Sequence, residues 1–166
     1  MTEAFETLRL HRFVSKAEEG LYLLIPFEMP AGLARIELDY TYHDYDQPES
    51  PVGDGVFTAR RRVNIVDLGL IAPNGSQVGA SGSNKRSISV SGSRATPGYH
   101  PHPLTPGTWQ IMLGAYVVED AGVDVDYELR FFRKQGRWLK GDLHTHTNAS
   151  DGVLTLEHLA RHARAS

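Results

Sequence analysis

The chain has 166 residues, a formal net charge of -3 and 40% hydrophobic residues, a composition typical of one soluble globular domain, with room for a short appendage. The near-neutral charge offers no positive field to attract nucleic acid or an anionic membrane surface. The chain contains no cysteine, which excludes a disulfide scaffold, a thiolate metal site and a cysteine nucleophile.

The amino terminus carries acidic residues early and no apolar run long enough for a signal peptide. The longest apolar stretch, residues 21–27, is far shorter than a membrane span. We therefore expect a cytoplasmic protein that does not contact a membrane.

Residues 1–138 are predicted to form a β-domain. Apolar segments of strand length are separated by turns rich in Gly, Pro, Asn and Asp, with no helical periodicity between them. Residues 123–132 alternate most regularly, with an apolar residue at every second position and a charged residue between. Short strands of this kind predict an antiparallel β-sandwich. The other predicted strands are 21–29, 33–42, 63–73, 87–93 and 109–118.

Residues 81–98 are rich in Gly and Ser and contain Lys85, Arg86 and Arg94. Small residues let backbone N–H groups approach a phosphate, so an anion-binding loop is one hypothesis. The segment lacks the spacing of a phosphate-binding P-loop. A solvated connection is therefore the preferred interpretation.

The composition changes after Phe132, and we place a domain boundary near residue 138, with a second segment over 139–166. A short helix is predicted there, with Thr155 as its N-cap. Such a helix is marginal alone, so it is expected to pack on the β-domain, dimerise or fray. Its apolar stripe has the spacing i, i+3, i+4 and i+7: Leu156, Leu159, Ala160 and Ala163.

Two histidines separated by one residue lie between the boundary and this helix. On a strand, His144 and His146 share one face, because side chains repeat every two residues. Two neutral imidazoles on one face can bind a divalent ion. Asp151 in the following turn offers an oxygen ligand, and Asp142 shares the histidine face as a partner that would orient a ligand. The Ser-Asp-Gly turn and the helix directly after it favour a metal site over a chance pair.

Residues 141–163 resemble the first motif of the PHP (polymerase and histidinol phosphatase) superfamily. Residues 66–75, 95–116 and 126–132 resemble the amino-terminal β-domain of its CehA/McbA-like branch. The superfamily consists of distorted (β/α)7 barrels that hold two or three metal ions, and many members are phosphoesterases. The resemblance implies a first barrel strand over 141–146 and a first helix from Thr155 onward.

The resemblance also implies a ligand set. His144 and His146 would bind one ion, and Asp151 a further one. Manganese, iron and zinc suit these nitrogen and oxygen ligands about equally well. The implied chemistry is metal-assisted hydrolysis of a small-molecule ester, most often a phosphorylated one.

The family's remaining ligands lie on later barrel strands, which are not among these 166 residues. A barrel needs on the order of 200 residues more. We therefore expect the amino-terminal portion of a metal-dependent hydrolase, itself inactive because a two-metal site needs ligands from several strands. The alternative is a non-catalytic β-sandwich that binds a ligand or partner, with a vestigial metal-binding tail.

Other side chains carry weaker hypotheses. His100 and His102 form a second pair, but flanking prolines predict an extended surface loop. His158 and His162 are spaced i, i+4, as the histidines of the HExxH zinc motif are, but no glutamate follows the first histidine. A solvated or interdomain helix face is therefore expected. Aromatic residues that could form a sugar platform are instead expected mostly in the core: Tyr40, Tyr42, Tyr45 and Trp109.

Overall fold

The computed structural model describes residues 4–46, 61–134, 148–149, 152–153 and 155–165. The chain divides into two compact units, Met1–Lys134 and Gln135–Ser166, close to residue 138. In the described part, a mainly β fold with antiparallel sheets is confirmed. Its elements are β1 (Glu6–Val14), β2 (Tyr22–Met29), β3 (Leu33–Tyr42), β4 (Ile65–Ile71), β5 (Gln77–Ser81), β6 (Ser87–Ser91), β7 (Gly107–Val117), β8 (Val123–Arg133) and α1 (Leu156–Ala165), with a 3-10 turn at Lys16–Glu18.

The first unit contains two four-stranded antiparallel sheets. Sheet A has the strand order β1-β8-β3-β6, and sheet B has the order β2-β7-β4-β5. The chain changes sheet at every connection between these strands except β4–β5. That hairpin turns at Gly75, which has a φ of 81°, a conformation that glycine adopts without steric cost. Inward side chains of both sheets form one hydrophobic core, as in a β-sandwich.

The alternation predicted for the last strand is confirmed in β8. Its apolar positions Val123, Val125, Tyr127 and Leu129 are buried, while the intervening charged positions face outward. In β3 the buried positions skip from Leu33 to Ile36, because a register shift between Leu33 and Arg35 adds one residue to the strand.

The amino-terminal strand β1 and the short strand β5 are not evident in the sequence pattern. β1 is an edge strand of sheet A, paired with β8 alone. Its inward positions include the charged Arg12 and its outward positions the apolar Phe13, so its alternation is obscured. Gly79 of β5 packs closely against Tyr99. A Cβ added to Gly79 would lie only 2.5 Å from the Tyr99 Cα.

The second unit contains the predicted helix, and its predicted N-cap is confirmed. The hydroxyl oxygen of Thr155 accepts a hydrogen bond from the backbone N–H of His158 at 3.2 Å, which is N-cap geometry. Glu157 and Arg161 form an i, i+4 ion pair. Leu156, the first residue of the apolar stripe, is 69% exposed. Within the described ranges, no helix is long and apolar enough to cross a membrane.

Candidate functional site

The predicted metal ligands His144, His146 and Asp151 lie outside the described residues, as does Asp142. The structure describes the chain on the carboxyl side of this motif, where α1 begins at Leu156. Two imidazole nitrogens and one carboxylate are a donor set that suits borderline divalent ions. The chemistry of these residues therefore fits the ion that the sequence motif implies.

The described residues contain no group of three or more His, Asp or Glu side chains able to hold a metal ion. The part of the β-unit that is described therefore offers no alternative metal centre.

The second histidine pair forms part of a loop tied to the sandwich. The backbone N–H groups of His100 and His102 donate to the carbonyl oxygens of Val78 at 2.8 Å and Ser91 at 3.0 Å. The His102 ring packs edge-on against Trp109, with 5.6 Å between centroids. These contacts account for the loop structurally, in agreement with the loop prediction.

The aromatic residues considered for a sugar platform are largely structural. Trp109 is fully buried, and its indole N–H donates to the carbonyl of Thr105 at 2.9 Å. Tyr40 is also buried, donates its hydroxyl to the carbonyl of Val66 at 2.8 Å, and stacks on Tyr127. Burial raises the pKa values of both tyrosines. Trp109 and Tyr40 are therefore core residues.

Two of the three basic side chains of the Gly/Ser-rich segment, those of Lys85 and Arg86, already have protein partners. The Lys85 ammonium donates to the carbonyl of Pro97. Arg86 pairs with Asp44 at 2.7 Å and lies over the Tyr42 ring, 3.7 Å from its centroid. This arrangement favours a structural connection over an anion-binding loop.

A charged cluster on the outer face of sheet A was not evident from the sequence. His11 lies on β1 opposite Asp126 of β8, and its Nδ1 is 2.8 Å from an Asp126 carboxylate oxygen. Its Nε2 is 3.1 Å from a carboxylate oxygen of Asp124. One imidazole thus stands between two carboxylates, an arrangement that favours the doubly protonated ring. In the neighbouring cross-strand row, Arg9 of β1 and Glu128 of β8 form an ion pair.

We expect His11 to make the stability of the β-unit depend on pH. Its hydrogen bond to Asp126 raises its pKa above the ordinary value of 6.5. The stabilisation is therefore complete below about pH 6.5 and is lost as the pH rises through the higher folded pKa. Denaturant titrations between pH 5.5 and 8.5 should show a small fall in the midpoint. This fall should be absent from His11→Gln and retained in His100→Gln, an exposed histidine. An identical fall in both variants would rule out this role for His11.

Comparison of the sequence with models of known protein families gives no match, and comparison with curated proteins gives none either.

Proposed function

We propose that this chain is the amino-terminal portion of a PHP-type metal-dependent hydrolase, a phosphoesterase acting on a small phosphorylated ester. Residues 139–166 would supply the first strand and helix of its (β/α)7 barrel. The observation that carries the proposal is the pairing of the His144-Thr-His146 motif and Asp151 with a capped helix that begins at Leu156. With a strand over 141–146, as the resemblance implies, this would be the order strand, ligand turn and helix that opens a βα unit.

In this proposal each ligand has a distinct role. His144 and His146 would hold one divalent ion from one strand face, and Asp151 would bind a further ion. Asp142 would orient a histidine ring by accepting its second N–H. Ions bound there would lower the pKa of a water molecule and neutralise charge on the phosphoryl group. The β-unit would act as an accessory domain, and these 166 residues alone would remain inactive, because they supply only the first motif.

The proposal predicts metal binding by the second unit. Calorimetric titration of the chain with Mn²⁺ or Zn²⁺ should show saturable binding. Replacing His144 and His146 together by alanine should weaken it by about a hundredfold or more, because even outer-shell partners of a ligand contribute 10–100-fold. Asp151→Ala should leave the affinity of the His144/His146 site largely unchanged, because in this proposal Asp151 binds a further ion.

The matched control is the His100→Ala/His102→Ala pair, since the structure gives these loop residues other contacts. That double variant should bind metal as the wild type does. Equal weakening in both double variants, or saturable binding that survives loss of His144 and His146, would contradict the proposed site. Circular dichroism of each variant verifies that the β-unit remains folded.

The second candidate function is a non-catalytic ligand-binding sandwich. It is favoured by an exposed groove on the outer face of sheet B, lined in part by Tyr22, Asp67 and Met112. The two functions differ in an observable way, because the hydrolase requires metal binding at His144 and His146 and the binding module does not.

A further inference from the structure

The outer faces of the two sheets differ in character. The outer face of sheet A is crossed by paired charges, such as Arg9 with Glu128 and Arg130 with Asp39. The outer face of sheet B instead carries exposed apolar side chains, with Tyr22 71% exposed and Leu24 51% exposed.

A glycine lies at the centre of one cross-strand row in the groove on this face. Strand register places Tyr22 of β2 opposite Gly114 of β7, and Gly114 opposite Asp67 of β4. A Cβ on Gly114 would stand 3.1 Å from the Tyr22 ring and 3.2 Å from the Asp67 Cβ. The edge of the Tyr22 ring therefore packs close to Gly114, with the Asp67 side chain beside it, and a larger residue at position 114 would crowd both.

The next row continues the groove. Met112 of β7 lies opposite Gly69 of β4, and its terminal methyl would stand 2.5 Å from a Cβ on Gly69. The Met112 side chain can therefore extend across Gly69. Together the two rows form part of the wall and floor of a shallow groove of about 440 Å³, which Gln77 and Gly82 also line.

Asp67 differs from the acidic residues of sheet A. It is half-buried, and within the described ranges its carboxylate has neither an ion-pair partner nor a hydrogen-bond donor. A cationic partner stabilises the charged form of a carboxylate in a partly apolar site. The face of a tyrosine ring also attracts a cation. A polarisable methionine thioether adapts to an alkyl group beside that charge.

We propose that this groove binds an organic cation, an alkylammonium or guanidinium group, between the Tyr22 ring and the Asp67 carboxylate. A free small molecule and the side chain of a peptide both present this cationic chemistry. The apolar part of the ligand lies against Met112. This site is independent of the metal motif at His144 and His146.

The test is a titration of the ¹⁵N-labelled chain with tetramethylammonium chloride and with Nα-acetyl-arginine amide, followed by two-dimensional NMR. Sodium chloride at matched ionic strength is the reference. Saturable shifts of the Gly114, Asp67 and Tyr22 amides are expected, with dissociation constants in the millimolar range. A lysine- or arginine-containing peptide that binds at least tenfold more tightly than either small probe would identify the peptide side chain as the source.

The variants Asp67→Asn and Tyr22→Leu should each weaken binding by about fivefold. The matched control is Glu28→Gln, on the outer face of the same sheet, because the Glu28 carboxylate already accepts a hydrogen bond from Thr108 at 2.6 Å. Shifts that sodium chloride reproduces, or equal affinity in Asp67→Asn and Glu28→Gln, would overturn the proposal. So would saturable binding of neutral cellobiose without binding of either cation.

Discussion

Trp109→Ala is expected to lower the free energy of unfolding of the β-unit by about 3–5 kcal/mol. The Trp109 side chain is fully buried between the two sheets, packs against His102 and donates its indole N–H to Thr105. Alanine would leave a large cavity and an unpaired carbonyl group. A loss of this size is a large fraction of the roughly 5–15 kcal/mol that stabilises a typical domain.

Urea denaturation monitored by circular dichroism measures this loss. The matched control is Tyr116→Ala, because Tyr116 is an aromatic residue of the same strand that is 70% exposed. Its effect should stay within about 0.5 kcal/mol. Similar losses in the two variants would show that Trp109 does not occupy the core position described above.

Asn64→Ala is expected to cost about 2–4 kcal/mol, because its buried amide connects two separate segments. The side-chain amide donates to the carbonyl of His43 and to the carboxylate of Glu119, both at 2.8 Å. Its oxygen accepts the backbone N–H of Glu119 at 2.9 Å. Alanine would remove the partner of the His43 carbonyl, the Glu119 carboxylate and the Glu119 backbone N–H.

Two controls separate the network from a general loss of packing. Asn74→Ala removes an exposed turn amide that accepts one hydrogen bond, from Ser76, and should cost about 1 kcal/mol or less. Glu119→Gln keeps an oxygen acceptor for the Asn64 amide and should cost less than Asn64→Ala. A loss for Asn64→Ala no larger than that for Asn74→Ala would contradict this account. Thermal or urea unfolding of the four proteins under one condition provides the comparison.

The strands that follow a period of two were predictable, and the structure shows why others were not. In β1 the outward Phe13 packs against Gly122, because a Cβ added to Gly122 would collide with the Phe13 ring. A glycine in a turn distant in sequence thus accommodates an aromatic residue on an edge strand. No local pattern in residues 6–14 encodes that contact.

The side-chain clusters depend on strand pairing in the same way. His11 gains its role when β1 pairs with β8 and brings Asp126 opposite it, 115 residues away. The groove on sheet B depends on Tyr22, Gly114 and Asp67 falling in one row across three strands. Alternation in a single strand specifies which face a residue occupies, but not its neighbours across the sheet.

The metal motif is the opposite case, because its residues are close in sequence and their spacing carries the prediction. The confirmed N-cap at Thr155 is likewise a local feature, in which one side chain accepts a bond from the next turn. In the proposed hydrolase, later barrel strands and their ligands would depend on long-range closure of a sheet. They cannot be derived from a motif of this length.

The measurement that tests the central claim most directly is a one-dimensional NMR titration of the eight histidine ring signals with substoichiometric Mn²⁺. The proposed metal motif predicts that the Hε1 signals of His144 and His146 broaden first and together, while those of His11 and His100 persist. Broadening that begins at His100 and His102, or that affects all eight signals equally, would contradict the assignment of this chain to a PHP-type hydrolase.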